Sequence, residues 1–227
     1  TIADDGQWRF PPSDSIAFKF KTCIKLFEDQ YFDYHPGFNP ISLLRAFKQN
    51  WNSKKIKSGG STITMQLIRL SRKRERTYFQ KIIELIKAVK TEINYSKENI
   101  FNLYCANAPF GGNVVGLEAA SWRYYGRAPH LLSWSESATL AVLPNAPSLI
   151  YPGKNQKRLL KKRNFLLKKL MDNHYIDQTQ YELSIEEPLP KKPLKLPQLS
   201  NHLLNYLSTQ GNKGKRTIST IQIELQL

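Results

Sequence analysis

Cysteine, acidic residues and long apolar runs are all scarce in this chain. Its only two cysteines, Cys23 and Cys105, show no CxxC or Cys/His spacing, which excludes a disulfide framework and a zinc ribbon as organising principles. Each lies in an apolar, helix-like stretch, where a buried free thiol is the simplest reading. No segment is apolar for long enough to span a bilayer, and no signal-peptide pattern opens at Thr1. Asp and Glu total 18 against 34 Lys and Arg, a formal charge of +16. That imbalance points to anionic partners and is silent about fold. Nucleic acid, an anionic membrane surface and a phosphorylated substrate satisfy it equally, so motifs must rank them. With 41% apolar and 11% aromatic residues over 227 positions, the chain can bury a core, and disorder is not its default state.

What is present reads as helix. Asp14 is placed to cap a helix through IAFKFKTCIKLF that delivers Glu28 at or just past its C-terminal end. Asn39 and Pro40 form an N-cap and first-turn pair for ISLLRAFKQNW. After the basic loop Lys54 to Gly60, Ser61 opens TITMQLIRLSRKRER. From Thr77 to Asn94, Phe79, Ile82, Ile83, Ile86, Val89 and Ile93 fit one helical face, with Glu84 off that stripe. Ser133 and Glu136 make a capping-box pattern ahead of SATLAVL, which Pro144 stops, and Lys154 to Leu170 is a basic amphipathic helix. PLPKKPLKLPQL then reads as an extended linker, and TIQIELQL alternates like a strand. The expected division is a main helical domain over 1–175, a Pro/Lys-rich linker over 176–199 and the truncated start of a following region over 200–227. From its abrupt start on TIADDGQWRF and end on IQIELQL, the sequence is expected to be a piece of something longer.

Five blocks could carry chemistry. In EDQYFDYHPG, Glu28 beside Asp29, with Tyr31, Phe32, Tyr34 and His35, fits a general base with a raised pKa against an aromatic wall, or a solvated helix end. His35 suits a loop brace, and Gly37 a positive backbone angle. SGGSTITMQLIRL offers backbone N–H groups and the Ser61 and Thr62 hydroxyls to an anionic oxygen at a helix start, although the GK[ST] signature of a phosphate loop is missing. Gln66 and Arg69, three residues apart, share one side of that helix. In RERTYFQKIIE, Arg76, Lys81 and Glu84 form either a surface ion-pair ladder or two cations and a carboxylate facing a diphosphate, with a divalent metal as one route. LYCANAPFGGNVVGLEAASWRYYG and SESATLAVLPNAPSLIYP read chiefly as packing, the latter with a loop able to close over a substrate.

In this order, the five blocks resemble the conserved motifs of the family 51 glycosyltransferases, the peptidoglycan polymerase domains of class A penicillin-binding proteins and monofunctional transglycosylases. The resemblance covers Glu28 to Pro152. It implies a mainly α fold distantly like phage lysozyme, with a large lobe, a small membrane-associated lobe and a short β tail at the C-terminus. It implies polymerisation of lipid II with inversion and loss of undecaprenyl diphosphate, Glu28 taking the proton of the acceptor hydroxyl. Glu84 is implied in the donor diphosphate region and as a candidate ligand of Mg or Mn. Asp29, His35, Ser61, Thr62, Gln66, Arg69, Arg76 and Lys81 are implied in substrate binding. Gln80 departs from the pattern, since arginine is common there. The implied partners are lipid II, the growing glycan chain, the membrane surface and other cell-wall synthesis proteins rather than nucleic acid. The implied place is the outer face of the cytoplasmic membrane, with an anchoring helix upstream. Two rival readings stay open at this point: a lysozyme-like glycoside hydrolase of peptidoglycan, and a non-catalytic cell-wall scaffold on anionic membrane.

Overall fold

A computed structural model describes residues 16–41, 43, 44, 60–72 and 77–194. Among them run eight α-helices and one 3-10 turn, so the mainly α expectation holds. The expected β tail, the Asp14 cap and Arg76 lie outside the described residues.

Helix α1 (Phe18–Glu28) buries Phe20, Cys23, Ile24 and Leu26 on one face. That 3–4 spacing is an apolar stripe, and it packs on α6 (Trp134–Ala141), most of whose residues are buried. The capping box read from the sequence is complete there: Glu136 N–H donates to Ser133 Oγ and Ser133 N–H to Glu136 Oε2. Helix α7 (Gln156–Asp172) covers both α1 and α6. On the other side, α2 (Ile63–Arg72) packs against α3 (Tyr78–Asn94) and α4 (Lys97–Asn107). Thr77 and Ser96 cap α3 and α4 through their side chains. The turn before α5 (Leu117–Tyr125) needs Gly111 at φ 99°, because a Cβ there would sit 2.5 Å from Tyr151 Cβ. A helical turn opens at Pro40, where Leu43 N–H donates to Asn39 O, as the Asn-Pro pair predicts.

Three elements add detail to their sequence patterns. The apolar stripe of α3 is not a buried face: Phe79, Ile82, Ile86 and Ile93 are 68%, 58%, 61% and 78% exposed, whereas Glu84 and Ala88 are buried. Helical periodicity reports that a helix has two faces; which face is covered depends on the neighbours, here α2 and the loop at Gly37. Secondly, the expected linker begins with α8 (Gln178–Glu186), which packs on α7, and the following segment lies against the body. Arg163, fully buried, donates to the Ile185 and Glu187 carbonyls; Ser133 Oγ bonds Glu187, Gln156 bonds the Pro190 carbonyl, and Leu194 N–H bonds the Arg123 carbonyl. Thirdly, α7 is the basic amphipathic helix expected, and three of its cations, Lys162, Arg163 and Lys169, turn inward from its exposed face. Lys169 donates to the Leu26 carbonyl in the last turn of α1, a favourable place for a cation at a helix C-terminus. Both cysteines are buried free thiols, as expected, and burial pushes both thiols far up.

Candidate active site

Glu28 is the last residue of α1, where the chain turns out of the helix. Its Oε2 accepts a 2.8 Å bond from Gln66 Nε2, and the Gln66 carbonyl oxygen accepts from the buried Tyr104 hydroxyl at 3.2 Å. The tyrosine donor fixes the amide so that its NH2 faces the glutamate. Glu28 Oε1 is shielded and has no hydrogen-bond partner among the described residues. Burial pushes the Glu28 pKa above the ordinary carboxylate value; the Gln66 bond, the Lys162 cation and the Asn145 amide oppose this, and the Asp29 charge adds to it. Burial likewise lowers Lys162, with Arg158 adding to the effect and Glu28 opposing it, while its ammonium donates to Asn145 Oδ1. Glu28 therefore has one oxygen pinned by Gln66 and the other left without a hydrogen bond.

The aromatic wall expected from EDQYFDYHPG is not at Glu28. Phe32 turns into the core against Phe101, while Tyr31 and Tyr34 are exposed. Those positions lie on a tight turn after the helix, where successive side chains diverge. The polar groups facing Glu28 come instead from Tyr104 on α4, Asn145 in the loop after α6 and Lys162 on α7. None of the three was singled out in the sequence, because each lies far along the chain within a stretch that reads as packing or as a basic surface.

Asp29 and His35 organise the loop that follows. The His35 ring nitrogen Nε2 lies 3.0 Å from both Asp29 oxygens, and Nδ1 accepts from Gly37 N–H, which fixes the tautomer with the proton on Nε2. Asp29 Oδ2 also accepts from Ile63 N–H in the first turn of α2, joining that turn to the end of α1. Gly37 stands at φ 92°, and a Cβ there would lie 2.7 Å from the Ala88 carbonyl carbon, so glycine lets the loop close on α3. Its carbonyl accepts from Thr62 Oγ1, which itself accepts from Met65 N–H. Thr62, rather than Ser61, is therefore the cap of α2.

That frees Ser61 for a second cluster. Arg69 grips Glu84 with two parallel bonds, Nε to Oε1 at 2.9 Å and Nη2 to Oε2 at 2.8 Å. The Glu84 bonds raise the Arg69 pKa further, against its partial burial. Arg69 Nη2 and Lys81 Nζ both donate to Ser61 Oγ, at 3.1 and 3.2 Å. With both lone pairs engaged, the Ser61 hydroxyl has only its proton left to offer. The cluster is thus cationic and donor-rich, as an anionic oxygen requires. It does not fit a divalent cation. Both Glu84 oxygens accept from a guanidinium, an ammonium stands beside them, and no group of three His, Cys, Asp or Glu side chains converges among the described residues.

A helical scaffold thus presents a glutamate with one oxygen unbonded and, on the same helix α2, a cationic cluster around the Ser61 hydroxyl. The chain belongs to the transglycosylase family, whose model matches residues 2–171. It is 38% identical to penicillin-binding protein 1C of Escherichia coli K12 over 223 residues, 98% of this chain and 29% of that protein. It is 37% identical to penicillin-binding protein 1A of Aquifex aeolicus over 183 residues, 80% of this chain and 25% of that one. The crystal structure of penicillin-binding protein 1A from Haemophilus influenzae matches 65% of this chain and 19% of that chain, at 22% identity and a TM-score of 0.41. The chain spans less than a third of the length of these curated relatives.

Proposed function

We propose that this domain polymerises lipid II into β-1,4 glycan, with Glu28 as general base. The unmet Oε1 of Glu28 is the observation that carries the reading. The acceptor sugar's 4-hydroxyl gives its proton to Oε1, and the oxygen attacks the donor's anomeric carbon. The bond from that carbon to the diphosphate breaks on the opposite side, with inversion. The departing undecaprenyl diphosphate carries the bonding pair, and its charge is met by Lys81, Arg69 and the Ser61 hydroxyl. Arg69 has a second task, since it also orients Glu84. For the Mg or Mn ion that the family resemblance suggests, Glu84 has no donor set around it among the described residues.

The hydrolase alternative is disfavoured by the same geometry. A retaining or inverting glycosidase needs a second carboxylate free to attack the sugar or to activate water. Glu84 has both oxygens engaged by Arg69. A scaffold role would leave the shielded, unpartnered Oε1 without a purpose.

The exposed stripe of α3 supports contact with a lipid surface, and Lys157, Arg158, Lys161 and Lys168 on the outer side of α7 add cations for anionic headgroups. No helix among the described residues is long and apolar enough to cross a membrane. We infer a place on the outer face of the cytoplasmic membrane, held by an upstream anchoring helix, among other cell-wall synthesis proteins. The test is incubation with lipid II and, separately, with finished peptidoglycan. Polymer and undecaprenyl diphosphate from the first, with no shortening of the second, are expected; the converse pattern supports the hydrolase.

A further inference from the structure

Arg72 closes α2, and its Nη1 is shielded from solvent with no hydrogen-bond partner among the described residues. The two other buried guanidiniums are fully explained: Arg69 holds Glu84, and Arg163 holds two backbone carbonyls. A shielded cationic donor without an acceptor is unfavourable, and the folded chain retains it where an anion supplies the missing bond.

Its location fits that role. Arg72 stands three residues after Arg69, so the two share a flank of α2. Helices α2 and α3 run antiparallel, registered by the Thr64–Glu92 and Arg69–Glu84 contacts. Arg72 lies one turn of α2 beyond Arg69, at the backbone level of the first turns of α3, whereas the Lys81 ammonium reaches back to Ser61. Arg69, Lys81 and Glu84 together carry one net positive charge, and Arg72 adds a second cation to the same stretch of helix.

We propose that Arg72 is an additional diphosphate-binding residue, donating Nη1–H to a phosphate oxygen of the donor substrate. This rests on the transferase reading above and adds a residue that no motif of the sequence singles out.

The test is Arg72→Met, with Arg72→Lys beside it, measured by calorimetry with inorganic pyrophosphate and with undecaprenyl diphosphate, alongside thermal unfolding. Methionine fills the stem's volume without a charge, so the melting temperature should be unchanged or raised. Affinity for both diphosphates should fall about tenfold or more, with lysine recovering part of it. In polymerisation assays, KM for lipid II should rise by a similar factor. Undiminished affinity overturns the proposal, as does a lowered melting temperature with unchanged affinity, which makes Arg72 a structural cation. Loss for the lipid diphosphate alone also overturns it, since the lost contact is then to the lipid. If the unaltered chain polymerises lipid II and Arg72→Met matches it, only the Arg72 assignment fails. If the unaltered chain neither binds diphosphate nor polymerises, the transferase reading itself fails.

Discussion

Gln66 and Arg69 sit one turn apart on α2, and each holds one glutamate: Gln66 bonds Glu28 on α1, and Arg69 clamps Glu84 on α3. A single helix thereby sets the spacing between the proposed base and the cationic cluster. Three residues of helix advance about 4.5 Å along the axis, so the two glutamates are placed by backbone geometry rather than by a loop.

The first consequence concerns pH. Glu28 acts only when ionised, and burial raises its pKa, so the acid limb of kcat/KM should lie above the range of an ordinary glutamate. Gln66 favours the ionised form. In Gln66→Leu that support is lost, the pKa rises further, and the acid limb moves to higher pH. The plateau rate should also fall, on the order of tenfold, because the carboxylate loses its anchor. A pH–rate profile of the two proteins checks both; an unmoved limb contradicts the assigned role of Gln66.

The second concerns the fold at the site. Asp29 accepts from His35 and from Ile63 N–H in a buried setting. Asp29→Ala strands both donors and should lower stability by about 2–4 kcal/mol. Asp29→Asn keeps one acceptor oxygen and should lower it by less. Urea unfolding followed by circular dichroism measures the difference.

Much of this arrangement can be read from the sequence because it is local. Ser133 and Glu136, Thr77, and Asn39–Pro40 declare helix starts through neighbours a few residues away, and the folded chain uses all of them. Gly37 was readable as a positive-φ residue for the same reason. Glu28 and the 61–84 block emerge as a site only through their order along the chain. What stayed hidden is set by packing between distant segments. Tyr104, Asn145 and Lys162 reach Glu28 from three different elements, and nothing in their own surroundings marks them. The exposure of the α3 stripe stayed hidden because periodicity cannot tell a face that meets protein from one that does not. Tyr31 and Tyr34 looked like a wall because composition does not give direction.

The third prediction takes up that stripe. Replacing Ile82 and Ile86 together by Glu removes two exposed apolar side chains, each contributing roughly 1.5–3 kcal/mol if fully buried in lipid, and adds two repelling charges. Co-sedimentation with anionic vesicles should fall tenfold or more while the circular dichroism spectrum is unchanged. Equal sedimentation would place the lipid contact elsewhere on the molecule.

The central claim is that Oε1 of Glu28 takes the acceptor proton, and one measurement addresses it directly: lipid II polymerisation by Glu28→Gln, with lipid II affinity measured on the same preparation. Glutamine keeps the shape and the neighbours but cannot accept the proton. The account predicts a rate lower by about 10²–10⁴, with affinity and melting temperature close to those of the unaltered chain. A Glu28→Gln protein that polymerises within a few-fold of the original rate would contradict it.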